Sequence, residues 1–138
     1  MRIQLLNKKA IIPKLAYESD AGLDISSIID YVLKPGEIKQ FKLGLAIQIE
    51  KDEVCIMSER SGMAIKYGIT SIGNIIDSSY RGEISIILSN LGDKDFNINI
   101  SDKIGQMIIC KLGNRKVEEA KELNKTDRGE KAHYSSGK

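Results

Sequence analysis

Between residue 2 and residue 111 the chain is a succession of short apolar, β-branched runs broken by turn residues. The runs fall at 2–6, 25–27, 31–33, 38–43, 45–49, 54–58, 69–72, 83–88, 95–100 and 106–111, with Pro35-Gly36, Gly44, Gly73-Asn74 and Leu91-Gly92-Asp93 among the punctuation. Runs of this length, rich in Ile and Val, predict the strands of a sandwich or barrel. Phe96-Asn97-Ile98-Asn99-Ile100 alternates strictly, as a strand with one wet face does. Ile84-Ser85-Ile86-Ile87-Leu88 is almost continuously apolar, which predicts burial on both faces and, in so short a chain, cover from a second subunit. Only residues 62–67 suit a helix, and they allow no more than a turn or two.

The pattern stops near residue 113. Residues 115–131 are almost wholly charged or polar, and Tyr134-Ser135-Ser136-Gly137-Lys138 is small and hydroxyl-rich. A β-sandwich domain over 1–113, followed by a polar linker and mobile arm over 114–138, is the expected organisation.

Composition narrows the function. With 21 Lys+Arg against 19 Asp+Glu, the net charge of +2 is too small for a protein that coats duplex by neutralising phosphates. No Trp and 5% aromatics supply a poor stacking platform for single strands, so no nucleic-acid partner is expected. Cys55 and Cys110 lie in apolar runs without Cys-x-x-Cys spacing, which predicts two small buried hydrophobes in a reducing compartment. His133 is the only histidine, too few for a Cys/His zinc site. The first residues lack the apolar stretch and cleavage site of a signal peptide, so a cytoplasmic protein without a membrane segment is expected.

Three clusters can carry chemistry. Glu59-Arg60-Ser61-Gly62 sets a guanidinium, a hydroxyl and backbone donors ahead of a possible helical turn, which suits an anion such as phosphate; an ordinary surface turn has the same look. The stretch from Gly73 to Gly82 places Asp77 and Tyr80 in a polar turn between two apolar strands. An Asp there can position and deprotonate a water, or simply cap its own turn. The tail sets Arg128, His133, Tyr134 and Ser135 on a segment able to close over a phosphorylated ligand, or to stay a plain terminus.

Taken together, Ala21-Gly22-Leu23-Asp24-Ile25, Arg60-Ser61-Gly62-Met63-Ala64-Ile65-Lys66, Ile76-Asp77-Ser78-Ser79-Tyr80-Arg81-Gly82, Asp102-Lys103-Ile104-Gly105-Gln106-Met107-Ile108 and the tail from Arg128 to Gly137 resemble the five ordered motifs of the trimeric deoxyuridine triphosphatase (dUTPase) family. The resemblance implies a jelly-roll-like β-sandwich, a homotrimer with sites at subunit interfaces, and a C-terminal arm that covers them. It implies hydrolysis of dUTP to dUMP and pyrophosphate, which keeps uracil out of DNA and supplies dUMP for dTMP synthesis.

By the same resemblance Asp77 activates the attacking water, and Tyr80 packs on the deoxyribose and excludes a 2′-hydroxyl. The hairpin of Asn74, Ile75 and Ile76, with backbone near Ser85, reads uracil. Arg60, Ser61, Gly62, Gln106 and Arg128 hold the triphosphate, and the arm also brings Ser135 to the substrate and sets a ring, His133 or after a one-residue slip Tyr134, to stack on uracil. Mg²⁺ is expected on phosphate oxygens and water rather than on a protein cage, with Asp24 supporting the site. Departures from the pattern are Glu130-Lys131-Ala132-His133-Tyr134 in place of a glycine-rich arm with a stacking Phe, Asn74 at a frequent Gly, and Glu59 at a frequent Pro or Gly. The charge of Glu59 is expected to weaken phosphate binding slightly.

The related dCTP deaminases use a catalytic Glu where this chain has Ile87, which leaves deamination without its base. Some family members, notably in phages, also bind regulatory proteins; here only the altered arm points that way.

Overall fold

The computed structural model describes residues 1–130, so the expectations for His133, Tyr134 and Ser135 lie outside the described residues. Eleven strands and one helix follow in the order β1 (Arg2–Leu5), β2 (Leu23–Ser26), β3 (Tyr31–Leu33), β4 (Ile38–Lys42), β5 (Leu45–Gln48), β6 (Glu53–Ser58), α1 (Ser61–Tyr67), β7 (Ile69–Ile72), β8 (Ile75–Asp77), β9 (Ser85–Asn90), β10 (Phe96–Ile98) and β11 (Lys103–Lys111). All pairings are antiparallel. A four-stranded sheet runs β2-β11-β6-β8 and a three-stranded one β4-β9-β7, with the smaller pairs β1-β5 and β10-β3 beside them.

Alternation decides what each strand buries. On β6, Cys55 and Met57 point into the core while Val54, Ile56 and Ser58 are half-buried on the other face. On β11, Ile104 is buried within an irregularity between Lys103 and Gly105, and Met107 is buried beyond it. These join Ile25, Phe41, Ile69, Ile86 and Leu88 in one continuous core. The all-β sandwich expected from the apolar runs is therefore present. Asn90, a fully buried polar residue, ties loops to the core: its amide group donates to Leu33 O at 2.9 Å and Lys94 O at 2.8 Å, and its oxygen accepts from Gly92 N at 2.9 Å. Fully satisfied, it costs little to bury.

Three expectations need correction. The stretch from Gly73 to Gly82 is not all turn, because β8 lies within it. Nor do β7 and β8 form a hairpin: β7 pairs with β9 and β8 with β6, so the chain changes sheets at Gly73-Asn74, and Asn74 O accepts from Met57 N at 2.8 Å. Cys110 is only half-buried, since it belongs to the outward row of β11, whereas Cys55 is buried as expected. Within β9 and its approach, Ile84, Ile86 and Leu88 are buried, while Ser85 and Ile87 are half-buried in the single chain.

Residues 114–130 are exposed and carry neither helix nor strand. Among the described residues no helix is long and apolar enough to cross a membrane.

Candidate active site

The change of sheets at Gly73 opens a corner between β8 and the start of β9. A cavity of about 210 Å³ lies there, lined by Gly73, Ile75, Ile76, Asp77, Tyr80, Glu83, Ile84, Ser85 and Ile87. That is smaller than the roughly 300–1,000 Å³ of a site enclosing a drug-sized ligand, so it holds part of a molecule and leaves the rest outside. Its β8 wall is the last strand of its sheet, and the free edge of such a strand offers backbone donors and acceptors to whatever lies beside it.

The polar groups around the cavity differ in how far they are already engaged. Tyr80 is held by a turn, its N–H donating to Asp77 O at 3.0 Å, and by its hydroxyl, which donates to Glu83 O at 3.2 Å. The Glu83 carboxylate accepts from Gly44 N at 2.9 Å and pairs with Lys42 at 3.2 Å, which removes it as a candidate base. Ser85 accepts from the Gln40 amide at 2.8 Å. Asp77 is exposed, and no group among the described residues hydrogen-bonds its carboxylate. A free carboxylate on a rigid strand end, at the mouth of a pocket, is placed to take a proton from water. Ile87 makes its stretch of wall apolar, with no carboxylate in the position a deaminase needs.

A second cluster gathers around Asp24, which is largely buried on β2. Its carboxylate pairs with Lys103 Nζ at 2.6 Å and with Arg60 Nε at 3.4 Å, one anion holding two cations in place. Lys103 was not singled out by sequence reasoning; its place opposite Ser26, at the head of β11, brings it to Asp24. Gln106 pairs across the ladder with both Asp24 and Ser58, and its amide donates to Glu59 O at 3.2 Å. Its carboxamide lies across Gly22, where a Cβ would stand 2.3 Å from Gln106 Oε1, so only glycine fits there. Ser61 and Gly62 are exposed at the first turn of α1, whose cap residue Arg60 supplies no side-chain hydrogen bond. At that turn the amides have no intrahelical acceptor.

Glu59 does not pair with this positive cluster among the described residues. Its carboxylate turns to β7, where it accepts from Ser71 N at 3.0 Å and from the Ser71 hydroxyl at 2.5 Å. The Ser71 hydroxyl and amides hold the Glu59 carboxyl below the usual carboxylate range.

The register separates the two clusters. Asp77 pairs with Val54 and Gln106 with Ser58, at opposite ends of β6. Four residues of strand are about 13 Å. Between them on the same face runs an apolar row of Ile108, Ile56 and Ile75. Apolar surface thus separates Asp77 from Gln106 within one chain. Arg128 lies in an exposed turn closed by Gly129 N on Thr126 O at 3.0 Å. Among the described residues no group of three or more His, Cys, Asp or Glu is arranged to hold a metal.

A family model described as dUTPase matches residues 8–137. The chain is 45% identical to the deoxyuridine 5'-triphosphate nucleotidohydrolase of Clostridium novyi (strain NT), over 98% of this chain and 96% of that protein. It is 39% identical to the protein of the same description from Clostridioides difficile, over 99% and 97%. The structure of the Staphylococcus bacteriophage 80alpha dUTPase with dUpNHpp superposes with a TM-score of 0.92 at 25% identity, covering 99% of this chain and 97% of that one. A variant of the dUTPase from phage phi11 of S. aureus, whose structure reveals the coordination of a structural Mg(II) ion, shares the fold at a TM-score of 0.84 and 23% identity, over 90% and 98%. Matched over almost its full length in both sequence and fold, the chain belongs to the dUTPase family.

Proposed function

We propose how this dUTPase divides the hydrolysis of dUTP to dUMP and pyrophosphate among its residues. The corner cavity takes the uracil and deoxyribose. Uracil lies along the free edge of β8 at Asn74, Ile75 and Ile76, with backbone near Ser85 opposite, where fixed main-chain donors and acceptors match its edge and leave cytosine's groups unpaired. Tyr80 closes the sugar side against a 2′-hydroxyl. Asp77 accepts a proton from a water whose oxygen bonds the α-phosphorus; the bond from that phosphorus to the α,β-bridging oxygen breaks, pyrophosphate leaves, and Asp77 returns the proton to solvent.

The triphosphate is held by Arg60, Ser61, Gly62 and Gln106, with Asp24 keeping Arg60 and Lys103 in place. Fixed donors along the phosphates stabilise developing charge without reorganising during the reaction. Because this set stands about 13 Å along β6 from Asp77 of the same chain, it serves the Asp77 of a neighbouring copy, and the active form is a homotrimer with sites between chains. The apolar row of Ile108, Ile56 and Ile75, open in one chain, is the kind of surface such an assembly covers. From the arm over 114–138, Arg128 completes the phosphate end, Ser135 contacts the substrate, and His133 or Tyr134 supplies the ring that stacks on uracil.

Among the described residues no cluster of acidic side chains forms a cage for Mg²⁺, and Asp24 is paired with two cations. Mg²⁺ held by the phosphate oxygens of dUTP and water would supply charge neutralisation there.

The observation that carries this reading is the corner cavity with an unengaged Asp77, Tyr80 and a free strand edge on its walls. The test offers dUTP, dCTP, dTTP and UTP in parallel with Mg²⁺, resolving nucleotides and pyrophosphate. Release of dUMP and pyrophosphate from dUTP alone is expected; comparable turnover of dCTP or UTP overturns the base and sugar assignments.

A further inference from the structure

Glu59 stands between β6 and α1, and its N–H, its carbonyl and one carboxylate oxygen, Oε2, are all engaged. Its N–H donates to the Ser71 hydroxyl at 3.1 Å, that hydroxyl donates back to its carboxylate at 2.5 Å, and Ser71 N donates to the same oxygen at 3.0 Å. Ser71 is buried on β7, so the clamp ties the β6-α1 junction to the opposite sheet. The carbonyl of Glu59 meanwhile accepts from Gln106 Nε2 at 3.2 Å and from the Ser58 hydroxyl at 3.2 Å. The next residue is Arg60, whose guanidinium rests on Asp24. The helix has no side-chain cap and no acidic residue in its first turn, so this clamp is the side-chain restraint on its start. It also keeps a carboxylate away from Arg60 and Lys103: neither cation pairs with Glu59 among the described residues.

We propose that Glu59 is a positioning residue for the polyphosphate end of the site: clamped by Ser71, it fixes the carbonyl that orients Gln106 and the backbone that presents Arg60, and keeps its own charge off both cations. A carboxylate that by sequence stands as a repulsive neighbour of phosphate thereby becomes part of the scaffold. The inference rests on the assignment of Arg60 and Gln106 to the phosphates.

The experiment measures the affinity of the purified full chain for a non-hydrolysable α,β-imido dUTP and for dUMP, by calorimetry, in wild type, Glu59→Ala, Glu59→Gln, Arg60→Ala and Gln106→Ala. Glu59→Ala is expected to weaken the triphosphate analogue about tenfold, the equivalent of one well-placed polar contact, and to leave dUMP unchanged. Glu59→Gln is expected to stay within about twofold of wild type, because its amide oxygen accepts the same two Ser71 bonds. Equal weakening of analogue and dUMP in Glu59→Ala marks a general structural role and overturns the proposal, as does tighter analogue binding in both Glu59 variants, which marks plain repulsion. If Arg60→Ala and Gln106→Ala bind the analogue as wild type does, the phosphate assignment fails first, a different result from the failure of Glu59→Ala alone.

Discussion

The ring of Tyr80 occupies the space that any side chain at residue 82 would need: a Cβ on Gly82 would stand 2.3 Å from the Tyr80 hydroxyl and 2.6 Å from its Cζ. The lack of a side chain at Gly82 lets Tyr80 fold back to Glu83 O, the position in which it is proposed to wall off the sugar. Gly82→Ala is therefore expected to push the ring off its seat and lower the dUTP preference over UTP, in kcat/KM, by about tenfold or more without touching substrate. Tyr80→Ala should lower it at least as far. An unchanged ratio in both variants removes the steric gate.

In the proposed mechanism Asp77 takes the proton, and its carboxylate makes no hydrogen bond among the described residues. Asp77→Asn is expected to keep the affinity for α,β-imido dUTP within a few-fold while lowering turnover about 10²-fold or more. Because the side chain is exposed at a strand end, the melting temperature should barely move. Single-turnover hydrolysis alongside calorimetry separates the two effects, and near-normal turnover in this variant excludes Asp77 as the base.

Cys55 sets an alkaline limit on stability. Burial, with a smaller contribution from the neighbouring Cys110, pushes its thiol from an ordinary 9.0 up to about 11. An unfolded chain releases that proton near pH 9 while the folded one retains it, so the unfolded state binds fewer protons and stability falls as pH rises from 9 to 11. Below that window this thiol contributes no pH dependence. Denaturant midpoints at fixed protein concentration, at pH 7, 9 and 10.5, should fall more steeply in wild type than in Cys55→Ala, and parallel slopes would remove the thiol as the cause. Lysines and tyrosines titrate equally in both and cancel in the comparison.

Most of the fold was legible because a half-buried strand leaves a period of two in the sequence, as Cys55 and Met57 do against Val54 and Ile56. What periodicity cannot show is pairing. The segment holding Ile75 and Ile76 sits two residues after β7 and looks like the return of a hairpin, yet its hydrogen bonds go to β6 in the other sheet. Such a choice depends on where the core needs a corner, a property of the whole molecule. The same limit applies to the site. Arg60, Gln106, Asp77 and Tyr80 were visible as chemistry-bearing types in recognisable runs, but the Glu59-Ser71 clamp joins residues 12 apart in sequence through a sheet contact. Lys103 went unnoticed for a related reason: its partner Asp24 lies 79 residues earlier. A hydrophobicity pattern carries no sign of either pair.

The proposed division of the site between copies gives a sharp expectation. Asp77 lies level with Val54 and Gln106 level with Ser58, across an apolar row, so a chain damaged at one position retains the other half intact. Asp77→Asn and Gln106→Ala homotrimers should each be nearly inactive. If one chain supplies Asp77 and its neighbour supplies Gln106, random exchange of subunits at equal amounts gives a site with both native residues in about one quarter of cases, the product of two chances of one half in a closed ring. Mixing the two variants under conditions that dissociate and reassemble the oligomer should therefore restore close to a quarter of wild-type turnover. A site within one chain predicts no restoration, because every chain in the mixture carries a defect. The mixed sample needs only a pyrophosphate-release assay before and after exchange, and a flat response would require Asp77 and Gln106 of the same chain to reach one ligand over Ile56 and Ile75.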